Sequence, residues 1–138
     1  MIFTTPHQQD HSHNLLKKRT LFLEFLRIKF LKLMQIYSSE IVRIGEQAKL
    51  FLDEGIVVFF GDNAPEELQD FAVIHKLVEI TGEIKVGSEV TLSGAQLKVT
   101  AVGDVANENF KNLGHLVLKL DAATEAALPG DVSCSYDK

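Results

Sequence analysis

The sequence predicts a mainly β protein: a compact β-barrel-like domain with two or three short helices, preceded by a basic N-terminal extension. Two observations support this fold class. Short apolar runs rich in Val, Ile and Phe recur at intervals of about 8–12 residues, with glycine turns between them, which is typical of all-β barrels and sandwiches. The regular alternation of strands with helices of about 10–15 residues, typical of parallel sheets, is absent.

The strands of this domain are predicted from alternation and from β-branched composition. The segment 37–44 alternates loosely and ends at Gly45, and 56–60 is a continuous apolar run stopped by Gly61. Further strands are predicted at 71–80, near 83–86, 88–93 and 96–102, and then at 115–120 and 131–136.

Helices are predicted where capping signals precede or follow helical periodicity. A short helix is expected over 46–52, and another over one or two turns after Pro65, with Asn63 as its cap. The segment 106–113 is predicted to be a helix that ends at Gly114. The polar segment 1–13 has no period and is predicted to be a flexible terminus.

Length and composition indicate one globular domain without disulfides. The chain has 138 residues, of which 46% are hydrophobic and 24% charged, an ordinary mixture for a folded protein. The single cysteine, Cys134, excludes an internal disulfide and a zinc site built from several thiolates. Because it lies in the last predicted strand, we expect it to be a small apolar residue of the core or of a sheet edge.

The net charge of −5 is unevenly distributed along the chain. Residues 1–33 carry +4 and residues 34–138 carry −9, which suggests an N-terminal extension and a separate acidic domain. The extension is either without a fixed role or structure, or a basic amphipathic helix that lies on a membrane or a partner. Charged residues interrupt 14–33 too often for a membrane span or a secretory signal. The acidic domain lacks the basic face that nucleic-acid binding needs.

Motifs that identify common enzyme classes, such as phosphate-binding loops, nucleophile elbows and zinc-binding histidine pairs, are absent. The acidic domain has two histidines, His75 and His115. His75, in a predicted strand, is either a half-buried structural residue or a nucleophile, because a neutral imidazole attacks phosphoryl groups well near pH 7. His115 is either an idle residue at a strand end or a second imidazole that donates a hydrogen bond to a phosphoryl oxygen.

Residues 41–130 contain a set of short motifs that are recognisable by their order and spacing. The pieces are Ile41-Val-Arg-Ile-Gly45, Ala64-Pro-Glu-Glu-Leu68, Val73-Ile-His75, Val99-Thr-Ala-Val-Gly-Asp-Val105, Asn107-Glu-Asn-Phe-Lys-Asn-Leu-Gly-His-Leu116 and Leu128-Pro-Gly130. In this order and spacing, residues 34–138 resemble the glucitol/sorbitol-specific IIA component of the bacterial phosphotransferase system. The resemblance includes none of residues 1–33, and it is the ordered set rather than any single piece that is specific.

The resemblance implies a phosphoryl-transfer component. Such a protein accepts phosphate from the phosphocarrier HPr on a histidine and passes it to the IIB component, for uptake of a hexitol through the membrane component IIC. The position that matches the phosphorylated histidine is His75, and His115 is carried over as a supporting residue. Leu77 stands where some relatives have a second histidine. No metal or cofactor is implied, and the implied location is cytoplasmic, including the periphery of the membrane transport complex.

A second class of function remains open at the level of sequence. The same β domain would be a binding or regulatory module without chemistry, and His75 would then be structural. The two alternatives differ in one measurable property, the addition of a single phosphate after exposure to phosphorylated carrier protein.

Overall fold

The structure, a computed structural model, describes residues 1–6 and 21–136. Nine strands in these residues form one sheet: β1 (Ile2–Thr4), β2 (Gln35–Ser38), β3 (Ile41–Ile44), β4 (Ile56–Gly61), β5 (Val73–His75), β6 (Glu89–Leu92), β7 (Ala95–Val102), β8 (Leu116–Lys119) and β9 (Asp131–Tyr136). The described helices are α1 (Leu21–Met34), α2 (Ala48–Asp53), α3 (Glu66–Gln69) and α4 (Ala106–Leu113).

The sheet curls so that strands from its two edges follow one another in the chain. Its strand order is β2-β1-β6-β7-β9-β8-β4-β5-β3, with β4–β5 and β8–β9 parallel and the other pairs antiparallel. The edge strands β2 and β3 are separated in sequence only by Ser39 and Glu40. This curled half-barrel with short helices confirms the predicted fold class. We call the junction between its two edges the seam.

The core fills the concave side of the curl. Its most deeply buried side chains are Phe3, Phe59, Ile84, Val90, Val99, Phe110, Leu116, Leu118, Val132 and Cys134. The helix α4 contributes Phe110 to this core, in accord with the amphipathic pattern of its sequence. Cys134 is fully buried and free, so of the two expected places, core or sheet edge, it occupies the core.

The amino terminus differs from the expectation of a flexible segment. The strand β1 lies between β2 and β6 and is antiparallel to both, and Phe3 is 0% exposed. Three residues are too short for a strand period to be recognised in sequence, and this strand is fixed by its two neighbours rather than by local propensity. The expectations for residues 7–20 lie outside the described residues.

The helix α1 follows in the described chain and makes few contacts with the sheet. Phe25 is 61% exposed and Phe30 is 62% exposed, and Leu26 and Ile28 are exposed as well. Glu24 and Arg27 form an ion pair on this helix at 3.8 Å. Among the described residues, no helix combines the length and apolar character that crossing a membrane requires.

Several predicted boundaries change for local reasons. The strand predicted at 37–44 is divided into β2 and β3, and only Val73–His75 of the segment 71–80 pairs as a strand. The segment 83–86 is not a strand, because the side chain of Asn107 binds both the N–H and the C=O of Ile84. Pro65, with no side-chain cap, occupies the N-cap position of α3 where Asn63 was expected to act.

Candidate functional site

The last residue of β5, His75, lies at the seam of the half-barrel. Its neighbours in the sheet are Gly61 of β4 and Ile41 of β3. The imidazole is 0% exposed. It stacks on Phe110 with ring centroids 5.7 Å apart, and the rings of Tyr37 and Phe59 contact it edge-on at 5.7 and 6.1 Å. Three aromatic rings therefore fix the plane of the imidazole.

Both ring nitrogens of His75 have hydrogen-bond partners. The Nε2 atom lies 2.8 Å from the carbonyl oxygen of Gly114, and Nδ1 lies 2.7 Å from the hydroxyl of Tyr37. Because a carbonyl only accepts hydrogen bonds, Nε2 carries the proton in this arrangement, and Nδ1 accepts from the Tyr37 hydroxyl. Burial lowers the pKa of His75 below 6.5, against the opposing effect of the Gly114 and Lys76 carbonyls. The imidazole is therefore neutral near pH 7.

The hydroxyl of Tyr37 has a second partner behind His75. It lies 3.0 Å from the carbonyl oxygen of Lys76, which also accepts a hydrogen bond from the hydroxyl of Ser39. Burial raises the pKa of Tyr37 above 10, so the phenol stays protonated at neutral pH. One phenolic proton therefore has two acceptors within reach, Nδ1 of His75 and the carbonyl of Lys76.

The residue on the other side of the imidazole is Gly114, which ends α4. Its φ of 61° is left-handed, as is common at a helix C-terminus. A Cβ at this position would lie 2.9 Å from Nε2 of His75 and 2.8 Å from the backbone nitrogen of Gly61. Glycine is therefore required both by the backbone conformation and by the close approach of the imidazole.

The second predicted site residue, His115, follows Gly114 but has a different environment. It is half-buried, its Nδ1–H donates to the carbonyl of Phe59 at 3.1 Å, and its ring stacks on Phe60 at 4.1 Å. Consecutive residues of a strand face opposite sides, so His75 packs on the Phe59 side of β4 and His115 on the Phe60 side. The structure thus joins the two histidines through the Gly114 backbone, but does not place their rings in one pocket.

The free ring nitrogen distinguishes His115 from His75. No residue in the described part of the chain forms a hydrogen bond to Nε2 of His115, and the Nδ1–H bond to Phe59 leaves a lone pair on that nitrogen. Because Nδ1–H is anchored, the lone pair of Nε2 makes His115 a candidate nucleophile or hydrogen-bond acceptor. The two histidines therefore differ in what favours them as nucleophiles: His75 has a fixed, neutral ring, and His115 has a ring nitrogen without a hydrogen-bond partner among the described residues.

Four residues around His75 were not found from the sequence. They contact His75 from other elements, and only Gly114 carried a recognisable signal, as the predicted end of a helix; the other three are Tyr37, Phe59 and Phe110. In the described part of the chain no group of three metal-ligating side chains lies together. Burial raises the pKa of Cys134 to about 12, which leaves it as an unreactive thiol.

Comparisons with known proteins agree with the fold and with the family resemblance of the sequence. A family model described as "PTS system glucitol/sorbitol-specific IIA component" matches residues 36–138. The chain is 37% identical over 97 residues to the glucitol/sorbitol-specific EIIA components of Shigella flexneri and Escherichia coli (strain K12), which covers 70% of this chain and 79% of each relative. The crystal structure of a PTS system IIA component from Enterococcus faecalis V583 is similar in fold, with a TM-score of 0.61 and 22% identity over 70% of this chain and 83% of that one.

Proposed function

Because the chain belongs to the family of glucitol/sorbitol-specific IIA components of the phosphotransferase system, we propose that it accepts a phosphoryl group on His75. The donor is the phosphocarrier HPr, and the acceptor is the IIB component that phosphorylates a hexitol such as glucitol. The observation that supports His75 is its environment: a neutral imidazole whose plane is fixed and whose two nitrogens have different partners. A fixed, neutral imidazole is oriented for nucleophilic attack.

The two partners of His75 favour Nε2 as the phosphorylated atom. Nδ1 lies against the Tyr37 hydroxyl in the interior, where a phosphoryl group would displace a buried ring. Nε2 lies against the backbone at the turn between α4 and β8. Movement of that turn uncovers Nε2, whereas uncovering Nδ1 requires β2 to move.

Phosphoryl transfer requires a state more open than the one described. The carbonyl of Gly114 accepts the Nε2–H hydrogen bond and so blocks the direction from which a phosphoryl group would approach this nitrogen, and the ring is 0% exposed. The turn around Gly114 therefore has to shift when the phosphorylated carrier docks, and its closure then shields the N–P bond from water. His115 is the next residue, so the same shift brings its free Nε2 toward the phosphoryl oxygens, to which it would donate a hydrogen bond in the imidazolium form of the ring.

His115 is also the alternative nucleophile, because its side chain is only half-buried and its Nε2 has no hydrogen-bond partner among the described residues. The two candidates make opposite predictions for substitution, and a single labelling experiment separates them.

The proposed partners imply a location beside the transport complex. The acidic domain, with a charge of −9, complements a basic carrier surface and raises the rate of encounter. The helix α1 exposes apolar side chains between basic residues, an arrangement that suits peripheral contact with an anionic membrane surface. We propose a cytoplasmic protein that works at the periphery of the membrane component.

The test is phosphorylation by HPr that has itself been phosphorylated. We expect the intact mass of the protein to increase by one phosphate, and the label to be lost in acid and retained in base. The variant His75→Gln keeps a polar side chain of similar size and should abolish the label while the far-UV circular dichroism is unchanged. His115→Gln is the matched control, and we expect it to be labelled more slowly than the wild type.

Each other outcome has a definite meaning. A label that persists in His75→Gln and disappears in His115→Gln would transfer the nucleophile to His115. No mass increase in the wild type, under conditions that label a related IIA component, would favour a binding module without chemistry.

A further inference from the structure

We propose that Tyr37 is a positioning residue for phosphoryl transfer. Its hydroxyl can form a hydrogen bond with Nδ1 of His75 in both tautomers of the imidazole, as the donor in one and as the acceptor in the other. The inference rests on the proposed function and deepens it. Tyr37 does not contact the phosphoryl group in this scheme. It acts through His75 by stabilising the tautomer in which Nε2 has a free lone pair.

The described structure contains the first of these two tautomers, the one that is present before phosphoryl transfer. Nε2–H donates to Gly114 and Nδ1 accepts from the Tyr37 hydroxyl at 2.7 Å. In this tautomer Nε2 has no lone pair available and is not a nucleophile. Attack through Nε2 requires the other tautomer, in which Nδ1 carries the proton and needs a hydrogen-bond acceptor.

The Tyr37 hydroxyl can become that acceptor without leaving its place. The Lys76 carbonyl lies 3.0 Å from the same oxygen, so rotation about the C–O bond transfers the phenolic hydrogen bond from Nδ1 to Lys76. The phenolic oxygen then accepts from Nδ1–H. Without the Lys76 carbonyl this rotation would leave a buried hydroxyl hydrogen unpaired, at a cost typical of unsatisfied polar groups.

The transfer step balances with these groups alone. Before it, Nε2 loses its proton to solvent and Nδ1 gains one, so the net protonation of the ring is unchanged. The Nε2 lone pair forms the new N–P bond, the bond from phosphorus to the donor imidazole breaks, and its electron pair remains on the donor nitrogen. The phosphorylated ring keeps Nδ1–H, which donates to Tyr37, while Tyr37 donates to Lys76.

The position of Tyr37 depends on the curl of the sheet. Tyr37 lies on β2 at one edge, His75 lies on β5 near the other edge, and their hydrogen bond crosses the seam. In the described sheet β2 pairs only with β1, where Phe3 is opposite Tyr37. The ring of Tyr37 also packs on Phe110 at 4.8 Å. Tyr37 is thus supported by β1, a strand that lies outside residues 36–138, which the family model matches.

The test is the variant Tyr37→Phe, which removes the hydroxyl and keeps the packed ring. We expect the rate of phosphorylation by phosphorylated HPr to fall ten- to a hundredfold. The matched control is Tyr136→Phe, which removes the hydroxyl of an exposed tyrosine on β9; its rate should stay within twofold of the wild type. Thermal unfolding of both variants reports whether they remain folded.

A spectroscopic readout separates positioning from a general structural role. Two-bond ¹H–¹⁵N spectra of the wild type should show the proton on Nε2 of free His75 and on Nδ1 of the phosphorylated residue. In phosphorylated Tyr37→Phe, the Nδ1 proton should exchange faster with solvent and its resonance should shift, whereas Tyr136→Phe should match the wild type. The wild-type spectra test the inference even where Tyr37→Phe does not fold.

The results that would contradict the proposed function differ from those that would contradict only the role of Tyr37. An unlabelled wild type, or a label outside His75, overturns the proposed function and this inference together. A wild type labelled on His75 with Tyr37→Phe equally fast and spectroscopically identical overturns only the role of Tyr37. A phosphoryl group on Nδ1 of the wild type also overturns it, because Tyr37 would then have been displaced.

Discussion

At the scale of single residues, the properties of His75 follow from its partners rather than from its own chemistry. An imidazole without contacts is half protonated near pH 6.5, and burial among Tyr37, Phe59 and Phe110 disfavours its charged form. The same burial fixes the ring plane and assigns a different partner to each nitrogen. Neutrality and orientation thus have one physical cause, the packing around the ring.

The lowered pKa of His75 predicts a specific dependence of stability on pH. Its pKa is about 6.5 in the unfolded chain and lower in the native state, so between these two values the unfolded state binds more protons. The free energy of unfolding should therefore decrease as pH falls below about 6.5, by up to about 1.4 kcal/mol per pH unit. The loss should end below the native pKa.

Urea unfolding of the wild type and of His75→Asn at several pH values between 5 and 8 measures this effect. The difference in unfolding free energy between the two proteins should be constant at high pH and become smaller as the pH falls through the window. A difference that does not change with pH would contradict a depressed native pKa.

At the scale of elements, β1 is the part of the fold that its sequence least suggests. It occupies a place inside the sheet, between β2 and β6. Phe3 contacts both Tyr37, at 6.4 Å between ring centroids, and Phe110, at 5.4 Å. These are two of the three aromatic residues that contact His75, so the amino-terminal strand supports the site through one layer of packing.

The packing of β1 predicts that Phe3→Ala destabilises the protein by about 3–5 kcal/mol, since a fully buried phenylalanine leaves a cavity. Phe25→Ala is the matched control, because Phe25 is mostly exposed on α1, and it should change stability by no more than about 0.5 kcal/mol. Chemical denaturation of both variants is the measurement. Equal effects of the two substitutions would show that β1 is not part of the folded sheet.

At the scale of the whole molecule, the two oppositely charged parts are structurally connected. The basic segment 1–33 contributes β1 to the sheet of the acidic domain before it forms most of α1. Removal of this whole segment would therefore also remove a strand that pairs on both sides within the sheet. A contribution of α1 to membrane contact has to be tested by substitution within the helix.

The exposed apolar residues of α1 predict adsorption to anionic lipid. We expect the protein to sediment with vesicles that contain phosphatidylserine and to remain in solution with neutral phosphatidylcholine vesicles or at high salt. The double variant Phe25→Ser/Phe30→Ser should bind at least tenfold more weakly, because two exposed rings are lost. Leu128→Ser, an equally exposed position outside α1, is the control. Unchanged sedimentation of the double variant would exclude α1 as a membrane contact.

The sequence by itself determined the fold class, most of the strands and helices, and the two histidines that could carry chemistry. Apolar runs, glycine turns and the helix end at Gly114 are local signals, and the structure has β4, α2, α4 and β9 close to where these signals placed them. The ordered motifs identified the family for the same reason, because they are read along one stretch of chain.

Only the tertiary structure decided what surrounds His75. Its partners Tyr37 and Gly114 are 38 and 39 residues distant in sequence, and they meet it only because the sheet curls until its edges adjoin. The place of β1, the opposite faces of His75 and His115, and the tautomer of His75 all depend on strand pairing. Pairing joins distant segments through backbone hydrogen bonds that any residue can form, so no local pattern specifies it.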